Sequence, residues 1–271
     1  MGGCASHLTA SIALGRDQEM TMTFRKNLTA IIAALALPFV FASIGVAETA
    51  GDQAAFDRGL KAYRLGDGAG AIAEWQAAAA SGHVGAAWLL GNLYDKGIGG
   101  ATRSASKAYE YYLQAARGGQ PEAAVRIGEI YLSGNEEIGV KRNYGQALKS
   151  FEVAALAARG DAQYYVGLMH RNGWGTQINR TEGMRWLILS SQKRYAPALA
   201  ELGRIHMEGD GLDQDRVEGW SYLMLSNRYG TPEQRQETDK LMSKYDGWMR
   251  RGEKEKASTL AETWVSIHGQ K

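Results

Sequence analysis

His170 and His206 stand 36 positions apart, each at the same place in a recurring string: residues 162–173 read AQYYVGLMHRNG and residues 198–209 read ALAELGRIHMEG. An imidazole can hold a metal or move a proton near neutral pH. A metal site needs further convergent ligands, and no Cys or further His recurs at a fixed offset from these two. They are therefore expected to be partly buried rings, with no metal and no cofactor. The paired carboxylates, Glu136-Glu137 and Asp210, Asp213 and Asp215, fall in loop-like stretches and are expected to be solvated. Nothing in the spacing brings two of them to the separation that glycoside hydrolysis requires. Gly173-Trp174-Gly175 is not preceded by a strand pattern, so it is a turn and not a phosphate cradle. No serine has a histidine spaced as a base. The expectation is that the chain is not an enzyme and has no catalytic residues.

The histidine strings are two of four. Residues 86–97 read AAWLLGNLYDKG and 123–134 read AAVRIGEIYLSG. Anchored on Gly91, Gly128, Gly167 and Gly203, the steps are 37, 39 and 36 residues. A period of this size marks a repeat architecture. Ala87, Leu90, Gly91, Tyr94 and Gly97 form one helical stripe. After a polar, glycine-containing loop a second stripe follows, such as Ala108, Tyr111, Tyr112 and Ala115. The unit is helix, loop, helix, loop.

Helix boundaries are marked locally. Ser104 and Thr181 precede second helices as side-chain caps, and Pro121 and Pro197 fit first turns. Gly82, Gly119 and Gly160 are expected to close second helices in the left-handed conformation. A glycine inside a helix costs about 1 kcal/mol relative to alanine. Its recurrence in register implies close approach, with Tyr111, Phe151, Trp186 or Tyr222 of the partner helix packing on the bare turn. An earlier unit, residues 54–82, carries Gly59, Gly66, Ala71, Trp75 and Ala78 in the tetratricopeptide spacing.

These strings resemble Sel1-like repeats, relatives of tetratricopeptide repeats with a longer inter-helix loop. Ala86, Leu90, Gly91, Tyr94, Gly97 and Gly99 fit one copy of the pattern, and Ala198, Leu202, Gly203, Gly209 and Gly211 fit another. There are departures. His170 and His206 stand where Tyr94 and Tyr131 do, the 134–143 loop lacks G-x-G, and Ser190-Ser191 and Ser226-Asn227 replace Ala-Ala. The resemblance implies an all-α, right-handed α-solenoid of helix-turn-helix repeats with an adaptor role. Members of the family include periplasmic inhibitors of exopolysaccharide signalling, secreted host-interaction proteins and a degradation adaptor. A cysteine-rich subgroup has been described as β-lactam-acting, but the one cysteine here, Cys4, lies outside the repeats. A cell-wall or β-lactam-acting enzyme is the alternative reading.

The expected organisation is five units, 52–83, 84–120, 121–160, 161–195 and 196–230, together spanning 52–230, followed by capping helices at 231–271. In that last segment Thr231 and Gln234 form a capping box, Pro232 opens the helix, and a final helix runs from about Glu253 to Ile267. By analogy with tetratricopeptide units, side chains three before, one after and four after the anchor glycine line a concave groove. These include Phe56 and Tyr63, Trp88 and Asn92, Glu129, Tyr164 and Arg171, and Arg204. Gly59, Gly91, Gly128, Gly167, Gly203, Tyr94, Tyr131, Trp75 and Trp186 are the structural repeat positions.

Residues 22–47 combine basic Arg25-Lys26, an apolar run and small residues ending at Ala47. This is the make-up of a secretory signal cut after Ala47. The alternatives are a retained anchor helix or, from Met1-Gly2, Cys4 and Ser6, a lipidated terminus. Residues 1–21 read as a misassigned start or an extension. Removing residues 1–47 takes away Arg16, Arg25, Lys26, Asp17 and Glu19 and leaves 28 basic against 27 acidic side chains. Such a balance offers no broad field for nucleic acid. The expected product is a periplasmic or secreted protein of a Gram-negative bacterium, with a peptide or protein partner and no stable membrane insertion.

Overall fold

Every second helix of the repeat begins on a short polar side chain. In the computed structural model, which describes residues 50–268, Asp67, Ser104, Asn143, Asn179 and Asp215 each accept a hydrogen bond from the backbone N–H three residues on. Such caps contribute about 1 kcal/mol each. Four of these capping residues also donate their own N–H back to the preceding helix. Ser104, Asn143, Asn179 and Asp215 reach the carbonyls of Tyr94, Tyr131, His170 and His206 at 2.7–3.0 Å. The aromatic or histidine position therefore lies where the second helix is pinned to the first.

The helices follow in pairs: α1 (Ala50–Arg64) with α2 (Gly68–Ala80), α3 (Val84–Lys96) with α4 (Ala105–Arg117), and α5 (Pro121–Ser133) with α6 (Tyr144–Leu156). Then come α7 (Gly160–Asn172) with α8 (Arg180–Gln192) and α9 (Ala196–Glu208) with α10 (Arg216–Tyr229). Each first helix packs on its own second helix, and each second helix packs on the next first helix. The result is an α-solenoid. It ends on α11 (Pro232–Tyr245) and α12 (Arg251–His268), which pack on the last pair. The expectations for residues 1–47, including the cut at Ala47, lie outside the described residues.

Close packing at the anchor glycines sets the spacing within each pair. A Cβ on Gly128 would meet Phe151 ring carbons at 2.7–2.9 Å, as expected. The remaining contacts lie one residue further along than expected. Gly91 faces Tyr112 and not Tyr111, Gly167 faces Leu187 and not Trp186, and Gly203 faces Leu223 and not Tyr222. One residue is 100° of helix, so the displaced rings point elsewhere. Tyr111 stacks on Tyr94 with centroids 5.8 Å apart, and Tyr222 lies 5.6 Å from His206. Gly59 faces Trp75.

The fourth and fifth pairs solve the crossing differently from the first three. Ala71, Ala108 and Ala147 sit four residues before Trp75, Tyr112 and Phe151, whereas Gly183 and Gly219 sit four before Leu187 and Leu223. A Cβ on Gly167 or Gly203 would lie 3.0 Å from the carbonyl oxygen of the opposing glycine. Loss of ring volume is thus accompanied by closer backbone approach. The serines that replace alanine are buried and satisfied. Ser190 Oγ donates to the Gly160 carbonyl at 2.6 Å, and Ser226 Oγ to the Ala196 carbonyl at 2.9 Å.

Three local expectations are corrected. Asn179, not Thr181, caps α8, because its carboxamide reaches the Glu182 N–H. Gly160 opens α7, and the left-handed residue equivalent to Gly82 and Gly119 is Ala158, at φ 60°. Its counterpart in the next unit is Arg194, at φ 58°. The final helix spans Arg251–His268 and is preceded by a 3-10 turn, Asp246–Trp248. The 134–143 loop holds a 3-10 turn, Glu136–Ile138, and Arg103 makes a bidentate pair with Glu137 at 3.1 and 2.8 Å. That contact ties this loop to the preceding unit. In the other long loops the second glycine of G-x-G does so: a Cβ on Gly175 would collide with the Tyr144 backbone.

Candidate partner-binding face

The first helices present three residues per unit on one side, at −3, +1 and +4 from the anchor glycine. In the first two units this face is aromatic. Phe56 stacks on His83 at 4.4 Å, Tyr63 is 46% exposed, and Trp88 lies 5.4 Å from the Tyr112 ring. Asn92 Oδ1 accepts from the Tyr112 hydroxyl at 3.4 Å.

The joint between the second and third units is ionic. Arg126 reaches Asp95 on the neighbouring unit and Glu129 on its own helix, both at 2.7 Å, and its guanidinium lies 5.7 Å from the Tyr112 ring centre. Burial alone would lower the Arg126 pKa, but Glu129, Tyr112 and Asp95 outweigh it and raise it. Burial raises the Glu129 carboxyl above its usual value in spite of Arg126.

At the joint between the fourth and fifth units the same three positions carry inverted charge. Asp95, Arg126 and Glu129 at +4, −2 and +1 become Arg171, Glu201 and Arg204. Arg171 is only 6% exposed and donates to the carboxylate of Asp210 at 2.8 Å and to its carbonyl at 3.0 Å. Arg204 is held by Glu201 at 2.7 Å, Glu208 at 2.6 Å and Asp210 at 3.0 Å. The expectation that Asp210 is merely solvated is therefore wrong, since it joins two arginines. Glu208 also accepts from Lys244 at 2.7 Å and from the Tyr245 hydroxyl at 2.5 Å, which ties the last repeat to the cap. Burial would raise the Glu208 carboxyl, but these donors and Arg204 bring it down to about 2.

Between the two ionic joints the face is phenolic. Tyr164 lies 5.5 Å from both Tyr165 and Tyr195, and Tyr165 stacks on Phe151 at 4.5 Å. Burial pushes the Tyr164 hydroxyl up to about 12. The structure thus assembles Trp88, Asn92, Glu129 and Tyr164 along one face, whereas Arg171 is enclosed and Arg204 is fully engaged within the fold. Sequence reasoning missed Arg126, Tyr165, Tyr195 and Lys244. Extending the template to position −2 would have found Arg126 and Tyr165; Tyr195 and Lys244 enter from other elements and carry no periodic signal.

His170 and His206 occupy equivalent places in the fourth and fifth units. Their neighbours are carboxylates at equivalent places: Glu218 lies 3.6 Å from His206 Nδ1, and Glu182 is near enough to His170 to act on its charge. Among the described residues no group of three or more His, Cys, Asp or Glu side chains could hold a metal ion. No described helix is long and apolar enough to cross a membrane.

Stacked helical hairpins with an open polar and aromatic face define a solenoid interaction protein. The Sel1 repeat family model matches residues 84–120, 121–157, 160–195 and 196–223, and the chain belongs to that family. Its fold matches a Sel1 repeat protein from Oxalobacter formigenes with a TM-score of 0.56 at 27% identity, over 66% of this chain and 72% of that one. It also matches a protective antigen of uropathogenic Escherichia coli displaying an SLR fold, with a TM-score of 0.66 at 21% identity, over 81% of this chain and 46% of that one. Among curated relatives, the exopolysaccharide production negative regulator of Rhizobium meliloti is 27% identical over 170 residues, covering 59% of this chain and 63% of that protein. Chitin synthase regulator SKT5 of Saccharomyces cerevisiae is 30% identical over 109 residues, covering 40% of this chain and 16% of that protein. The chain thus spans less than two thirds of the length of either relative.

Proposed function

We propose that this chain is an exported, non-catalytic scaffold that binds an extended peptide or protein segment along the concave face of its first helices, in a regulatory role at the bacterial envelope. The observation that carries the reading is the row of partly buried aromatic and charged side chains, Trp88, Glu129 and Tyr164, on successive first helices. Aromatic anchors with ionic neighbours are what interfaces use. Support for a regulatory role comes from the regulator names of the bacterial and fungal relatives. Support for export comes from the basic, apolar and small-residue succession of residues 22–47.

Photo-cross-linking tests the face. A benzoylphenylalanine at position 88 or 164 should give a discrete adduct in intact cells, and one at the outward position 153 should not. Equal labelling from all three positions, or from position 153 alone, overturns the reading. Mass spectrometry of the mature amino terminus tests export: a chain beginning at Glu48 supports it, and an intact Met1 opposes it.

A further inference from the structure

The phenolic stretch of the face is bordered by carboxylates. Four carboxylates, Asp95, Glu122, Glu129 and Asp161, surround it with two guanidiniums, Arg126 and Arg159. Arg126 is shared between Asp95 and Glu129, and Arg159 between Glu122 at 2.9 Å and Asp161 at 2.7 Å. Two negative charges are left over. The next ionic joint differs: Arg171, Arg180, Arg204 and Lys244 there meet Glu201, Glu208 and Asp210. Within these ion-pair groups, carboxylates are in excess beside the phenolic stretch and basic groups are in excess at the following joint.

The rings are placed to use that charge. Tyr164, Tyr165 and Tyr195 converge within 5.5 Å centroid steps, each only partly buried. The hydroxyl of Tyr195 lies in the field of both Glu129 and Asp161, that of Tyr165 in the field of the same two carboxylates and of Arg126, and that of Tyr164 in the field of Glu201 and Arg204. Ring faces attract cations through their quadrupole. The protein already does this with its own groups, since Arg126 sits over Tyr112 and Arg142 over Tyr144. Glu129 has a side chain 34% exposed and a single guanidinium partner on one of its oxygens.

We infer that the Tyr164–Tyr165–Tyr195 cluster with Glu129 and Asp161 is a subsite for a cationic side chain, lysine or arginine, of the segment that lies along this face. The inference rests on the proposed concave-face reading and adds the charge of the partner and its place. A basic residue seats at the third and fourth units.

The probes are three fluorescein-labelled decapeptides of equal length with lysine, glutamine or glutamate at alternate positions, titrated into the full chain and followed by anisotropy. The lysine peptide should bind at least about five-fold tighter than the glutamate peptide, the scale of one cation contact of this kind. Glu129→Gln and Tyr195→Ala should each abolish that preference, whereas Glu262→Gln on the outer helix should leave it intact. Circular dichroism confirms that each variant is folded, and Glu129→Gln keeps the Arg126–Asp95 pair. Equal binding of the three peptides, no binding of any, or a preference that survives Glu129→Gln overturns the subsite. Cross-linking from positions 88 and 164 could still succeed in that case, so failure of the subsite is separable from failure of the scaffold reading.

Discussion

Arg171 lies across Gly183. A Cβ at residue 183 would collide with Arg171 Cγ and approach the Arg171 nitrogen at 3.0 Å. The long side chain crosses the bare turn of α8 before its guanidinium reaches Asp210, 39 residues away. This explains why a residue at a groove position is almost fully enclosed. Met207 repeats the arrangement over Gly219 one unit later, where an apolar side chain needs no counter-charge.

Gly183→Val should therefore displace Arg171 and cost roughly 1–3 kcal/mol, the usual range for overpacking. Gly128→Leu, driven into Phe151, should cost a similar amount. Gly252→Ala is the control, because a Cβ there meets nothing within 4 Å. Urea denaturation measures all three. An unchanged midpoint for Gly183→Val would show that Arg171 has room to spare.

Ala158→Gly should stabilise the protein. A non-glycine residue in the left-handed region costs roughly 1–2 kcal/mol, and glycine returns about 0.5–1 kcal/mol through unfolded-chain entropy. The net expectation is a gain of up to about 1.5 kcal/mol, visible as a raised Tm. Arg194 shares the conformation, but it donates to the His268 carbonyl at 2.7 Å and stacks over Tyr229. Arg194→Gly should therefore lose these contacts and destabilise.

Acid should weaken the fold in two stages. Burial lowers the pKa values of His170 and His206 below the usual histidine value, against the pull of Glu182 and Asp215. The unfolded chain then takes up protons that the folded chain refuses. Stability from this source is complete above about pH 6.5 and falls as pH drops through the folded values. His206→Tyr should show a smaller loss between pH 7 and pH 5 than the wild type. The depressed carboxyl of Glu208 adds a second loss as pH falls from about 4 toward 2. A wild-type denaturation midpoint that is flat from pH 7 to pH 5 would contradict the histidine account.

Truncation after Gly230 should give an aggregating product. α11 and α12 cover Leu199, Leu223 and Leu225 with Tyr245, Ala257 and Ala261. A solenoid that loses its terminal unit exposes an apolar face. Size-exclusion chromatography of the 1–230 chain decides it, and a soluble monomer would refute the capping role.

The period of the anchor glycines was legible without a structure, and with it the hairpin, the family and those helix ends marked by a local cap or proline, though not the ends at Asn179 and Ala158. Each of these depends on contacts within a few residues: caps at N3, helical stripes, and a loop that must turn. The Thr231–Gln234 capping box was read for the same reason, and both of its bonds form.

What the tertiary structure alone decided was which side of each second helix meets its glycine, and which groove side chains remain open. Leu187 and Trp186 are both apolar and adjacent, so periodicity cannot choose between them; the 100° difference is settled only when two helices dock. Arg126 and Arg171 find Asp95 and Asp210 across 31 and 39 residues. Ion pairs between units have no signature in local spacing, because they depend on the distance between stacked hairpins and not on the sequence of either one.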